Sequence, residues 1–150
     1  MSALTGVTHL GSYTFFRVAC SNDLLTEKII RFLLEYFPDA ASETGSNEQL
    51  PLHCVCRNPN VTLKIIRLLI DAAPDSASSE DNYGCMPLHK LCWNKSLDDA
   101  TAIKIYELLI EKYPEAIQHA NNEGLFPLHI ASGAGVRSPE FCRELIEAYP

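Results

Sequence analysis

Apolar residues along this 150-residue chain fall into two alternating patterns. Short, nearly continuous apolar runs such as Leu52-His53-Cys54-Val55-Cys56 are each followed, after a polar break, by a longer amphipathic stretch. In one such stretch Ile65, Leu68 and Leu69 recur at i, i+3, i+4, opposite Lys64, Arg67 and Asp71. The first pattern predicts a buried inner helix and the second an outer helix with one wet side. Proline opens the inner segments at the first helical position, where its missing N–H costs nothing. A second proline, Pro38, Pro74, Pro114 or Pro150, ends each outer helix, because the residue before it is pushed out of the α region.

Laid upon itself, the chain divides into four units whose helical parts run 15–37, 51–73, 87–113 and 127–149. The anchor is the word Pro-Leu-His, beginning at Pro51, Pro87 and Pro127, at spacings of 36 and 40 residues. The match extends further: Lys28-Ile29-Ile30-Arg31 falls on Lys64-Ile65-Ile66-Arg67. A word returning at such a period marks stacked units, each too small to bury its own apolar face alone. Ser138-Pro139-Glu140 reads as a helix start, and Ser96-Leu97-Asp98-Asp99 as a capping box. The four extra residues of the third unit are expected in the exposed loop Asn94 to Asp99, where lengthening costs little. Between units lie polar links, 75–86 and 115–126, carrying Asp81-Asn82-Tyr83-Gly84 and Asn121-Asn122-Glu123-Gly124, which predict projecting, hairpin-like turns.

Helix, turn, helix, projecting link and the word Gly-x-x-Pro-Leu-His resemble the ankyrin repeat, whose signature is Thr-Pro-Leu-His-x-Ala. The resemblance covers about Leu10 to Pro150 and is specific in the second to fourth units; Phe15-Phe16-Arg17 stands where the word should be in the first. Leu50, Met86 and Phe126 replace the threonine, and the period exceeds the usual one of about 33 residues. The expected fold is therefore all-α, an ankyrin-like solenoid of about four repeats near 10–45, 46–80, 81–120 and 121–150, forming a single array. The fourth unit carries Phe141, Leu145 and Ile146 and stops at Pro150, where the others continue into a link. Arrays close with a polar outer face, so the chain reads as a fragment of a longer array; otherwise all three residues face the third unit.

The resemblance implies a non-enzymatic scaffold that binds a partner protein through a groove of link tips and exposed inner-helix positions. Matching by position gives Asn47, Gln49, Arg57 and Asn58; Asn82, Tyr83, Cys85, Trp93 and Asn94; and Asn122, Glu123 and Leu125. Tyr83 and Trp93 stand out, since aromatic residues dominate binding hot spots. The competing role for Trp93 is packing beneath the following loop.

Charge and cysteine content narrow the partners. Nineteen acidic against 12 basic residues, net -7, exclude a phosphate-rich partner such as nucleic acid and favour basic or apolar protein surfaces. The start of the chain has no secretory pattern, and no stretch approaches the roughly 18 apolar residues of a bilayer span. Six cysteines without secretory context read as reduced thiols of a monomeric intracellular protein, cytoplasmic or nuclear.

His53, His89 and His129 tempt a metal or catalytic reading. Equivalent residues of stacked helices lie about 8–10 Å apart, too far to share a zinc ion with bonds of about 2 Å. They are expected instead to wedge at the inner-helix start, hydrogen-bonded to backbone. Cys20, Cys56 and Cys92 occupy one equivalent position and read as small core fillers. No catalytic motif is present, so no enzyme activity, cofactor or metal is expected. The rival readings are a regulatory or substrate-recruiting segment of a larger enzyme and a Cys/His metal-binding module.

Overall fold

The computed structural model describes residues 9–133 and 136–149, with side chains from Thr14 onward. Residues 1–8, read as carrying no secretory signal, and Pro150, expected to close the fourth unit, lie outside the described residues. Among the described residues eight α-helices pack together: α1 (His9–Cys20), α2 (Glu27–Tyr36), α3 (Pro51–Cys56), α4 (Leu63–Ala72), α5 (Pro87–Trp93), α6 (Asp99–Lys112), α7 (Pro127–Ser132) and α8 (Pro139–Ala148). Among the described residues there is no strand, and no helix is long and apolar enough to cross a membrane.

The helices form two layers. In one, α1, α3, α5 and α7 pack each against the next; in the other, α2, α4, α6 and α8 do the same, and each odd helix also packs on the even helix that follows it. The core lies between the layers, where Phe16, Ile30, Leu52, Ile65, Leu69, Leu88, Leu91, Ile105, Leu109, Phe141 and Leu145 are fully buried. The amphipathic face expected on α4 is confirmed, with Ile65 and Leu69 buried and Leu68 half-buried. On α8, Phe141 and Leu145 turn inward, whereas Ile146 is 57% exposed.

Outer helices begin on side-chain caps. Thr26, Thr62, Asp98 and Ser138 accept hydrogen bonds from the N–H of Ile29, Ile65, Thr101 and Phe141. Asp98 is thus the cap that the sequence suggested for Ser96. The four extra residues of the third unit are not in the loop before it. α6 starts 36 positions after α4 but ends 40 after it, so the insertion lies within the helix. Four residues make about one turn of 3.6, which lengthens a helix without turning its apolar stripe away from the core.

Pro38, Pro74 and Pro114, expected to end outer helices, also start 3-10 turns, over Pro38–Ser42, Pro74–Ser78 and Pro114–Gln118. The links that follow are compact turns rather than hairpins. Asp81 Oδ1 accepts from the N–H groups of Tyr83 and Cys85, and one backbone bond from Asp81 N–H to Cys85 O, 3.0 Å, closes the loop. Asn121 does the same with Glu123 and Leu125. Other backbone groups reach sideways: Asn82 N–H donates to Asn47 O and Asn122 N–H to Tyr83 O. Gly84 takes φ +71°, and a Cβ there would approach Asn122 Oδ1 to 2.5 Å, so glycine serves both conformation and fit. In the second unit the same turn has Gly45 in place of the Asx and Glu48 in place of the Gly, and Asn47 and Glu48 both take positive φ.

The repeated histidine ties unit to unit. His53 Nδ1 accepts from its own helix start, Leu50 N–H at 3.0 Å, and its Nε2 donates across to Ser79 O and Cys85 O, both 3.1 Å. His89 accepts from Met86 N–H at 3.1 Å and donates to Leu125 O at 3.2 Å. His129 repeats the inner half, accepting from Phe126 N–H. With Nδ1 as acceptor the bridging rings are neutral, and burial pushes the His89 imidazole from 6.5 down to about 4 and lowers His53 as well.

Because the folded-state values lie below the unfolded one, this stability is fully present above pH 6.5 and is lost as pH falls toward 4. His89 contributes on the order of 3 kcal/mol across that window. Urea unfolding midpoints should therefore drop between these limits, and replacing His89 with Gln should flatten the slope.

Candidate functional site

A second ladder runs along the far ends of the inner helices. Asn58 Nδ2 donates to Cys20 O and Asn22 O at 2.8 and 2.9 Å, and Asn94 Nδ2 donates to Cys56 O and Asn58 O, both 3.0 Å. Arg137 takes the next step, donating from Nη1 to Asn94 O and Leu97 O and pairing with Asp99. Among the described residues its Nε has no hydrogen-bond partner, and the guanidinium lies 4.8 Å from the Phe141 ring centroid. These residues satisfy helix C-terminal carbonyls that would otherwise be orphaned. Asn58 and Asn94, placed in the groove by sequence, are 4% and 5% exposed and belong to this ladder. Their spacing of 36, shared with Asn22, was the sequence signal for it.

At the link side of the inner helices the structure gathers Arg57, Tyr83, Cys85, Trp93 and Glu123 around a cavity of about 270 Å³, together with Lys90 and Asn121. Tyr83 is 54% exposed and Trp93 39%, both at this cavity, so Trp93 is not buried beneath the loop. Cys85 is buried and contributes to the lining only from below, its sulfur receiving Asn121 Nδ2 at 3.6 Å. Asn47, Asn82 and Asn122 are exposed along the row of turns, Leu125 is half-buried, and Gln49 Nε2 donates to Asp81 Oδ2.

Lys90 was missed by the sequence reading, and it organises the site. Its side chain is 5% exposed and its Nζ lies 2.9 Å from Asp81 Oδ2, on a carboxylate that is 0% exposed. The ammonium also sits 5.4 Å from the Trp93 ring centroid and 5.9 Å from that of Tyr83, a cation–π arrangement that orients both rings. Burial alone would push the Asp81 carboxyl up; the Lys90 ammonium and the N–H groups of Cys85 and Tyr83 outweigh it and hold the group below its usual range. One carboxylate thus shapes the turn with one oxygen and anchors the lysine with the other. The signal was available: Asp81 and Lys90 stand nine positions apart, and at the same separation the fourth unit has Asn121 and Ile130, both neutral.

The cysteines offer little chemistry. All six are unpaired, and burial pushes the Cys20, Cys56 and Cys92 thiols far above their ordinary range. Among the described residues no three His, Cys, Asp or Glu side chains converge as a metal site would require. The site presents two half-exposed aromatic rings and an exposed arginine. A scan against protein-family models finds no match for this sequence, and no curated protein matches it.

Removing one member of the buried pair strands the other charge, at a cost of about 3–5 kcal/mol. Lys90→Ile alone should therefore destabilise strongly in urea unfolding. Asp81→Asn together with Lys90→Ile, copying the fourth unit, should recover most of that loss.

Proposed function

We propose that this chain is a non-enzymatic protein-binding scaffold, an ankyrin-like solenoid of four repeats whose partner lies in the groove centred on Tyr83 and Trp93. The observation that carries the reading is the pair of exposed aromatic rings held over Lys90 at the rim of a cavity that also takes in Arg57 and Glu123. Large, half-exposed aromatics whose orientation is fixed in advance lose little conformational freedom on binding, which is what hot-spot residues need. Two helical layers stitched by equivalent histidine, asparagine and turn contacts support the solenoid reading, since such units bury their apolar faces only on one another. Six unpaired cysteines support an intracellular setting, cytoplasmic or nuclear.

The test is an affinity capture from extract of the source cell with the wild-type chain and the Tyr83→Ala/Trp93→Ala pair side by side. A partner held by the first should be lost by the second, while both show the same far-ultraviolet circular dichroism and unfolding midpoint. Equal capture by both would remove this groove from consideration.

A further inference from the structure

Net charge conceals the local sign of the groove floor. In a chain of net charge -7, Arg17 and Arg57 stand exposed at the ends of α1 and α3, and among the described residues neither forms an ion pair. Lys90 on α5 adds a third positive centre beneath the rings, answered by Asp81. The half-buried Cys54 thiol on α3 senses their charge: burial raises it, while Arg17, Lys90 and Arg57 each pull it back. The acids near the groove, Glu123 at the cavity and Glu80 paired with His119, sit on the links rather than on the inner helices.

We infer that the groove takes an extended acidic peptide segment of a partner protein, its carboxylates on Arg57 and Arg17 and a large apolar side chain against Tyr83 and Trp93. This rests on the reading of the groove as the binding face. Arginine forks carboxylates with two parallel hydrogen bonds, a geometry that an exposed guanidinium can supply without rearrangement. Neighbouring inner helices stand about 8–10 Å apart and extended chain advances about 3.3 Å per residue, so the acids should fall roughly three residues apart. A long polyanion fits less well, because the acidic links and the remaining surface repel it beyond the short basic strip.

The test is a random 12-residue peptide library displayed on phage, selected on the wild-type chain and depleted on the Tyr83→Ala/Trp93→Ala variant. Enriched sequences should carry an excess of Asp and Glu with one aromatic or aliphatic anchor. The leading peptide, made synthetically, should bind about tenfold more weakly to Arg57→Gln, and more tightly to Glu123→Gln. Its affinity should also fall as salt is raised. Enrichment of basic or uncharged peptides, or an unchanged affinity in Arg57→Gln, would overturn the acidic assignment while leaving the groove as a binding face. Recovery of no peptide would overturn both. Tighter binding of a single-stranded oligonucleotide than of the selected peptide would overturn the assignment in favour of nucleic acid.

Discussion

A single neutral imidazole, used at both ends, is what the stacking of this chain depends on. The inner helices α3, α5 and α7, of six or seven residues, are far too short to persist alone, and their first N–H groups have no partner within the helix. His53 and His89 accept the N–H three residues back and donate to the link of the following unit, so that completing one helix and docking the next are one event. The ring can do both only with its proton on Nε2. Leu50, Met86 and Phe126 stand at the N-cap positions and bring no capping hydroxyl; their own N–H groups are instead satisfied by the histidine ring three residues on, one of the two donor groups that a capping box serves.

Two further ladders work in parallel with the histidines. The asparagine ladder closes the opposite ends of the inner helices, and the turn-to-turn bonds from Asn82 to Asn47 and Asn122 to Tyr83 hold the links in a row. The third unit departs from this plan by adding the buried Lys90–Asp81 pair. An ion pair there contributes less to stability than a well-packed neutral pair could, but it fixes the orientation of Tyr83 and Trp93. The candidate site is therefore the place where the chain accepts a costly arrangement that the neighbouring unit avoids.

The helices were legible because their periodicity and prolines are local signals. Ser138 as a cap, the burial of Ile65 and Leu69, and the histidine-to-backbone bonds all follow from patterns visible within a few residues. What was misjudged depended on matching one unit to another. Asn58 and Asn94 looked like exposed polar residues, because a side chain that caps the preceding unit's helix has its partner 36 to 38 positions away. The insertion in α6 was assigned to a loop, since composition there suits an excursion, whereas one added helical turn kept the faces in register. Lys90 was overlooked in an apolar run because its neutralising partner lies in the turn before it.

The most direct measurement is long-range proton–nitrogen correlation spectroscopy of the ring nitrogens of His53 and His89. The histidine bridge requires both rings to be neutral at pH 7 with the proton on Nε2, and His89 to remain so until pH falls to about 4. Protonation at Nδ1 instead, or titration of His89 at its ordinary value near 6.5, would contradict it.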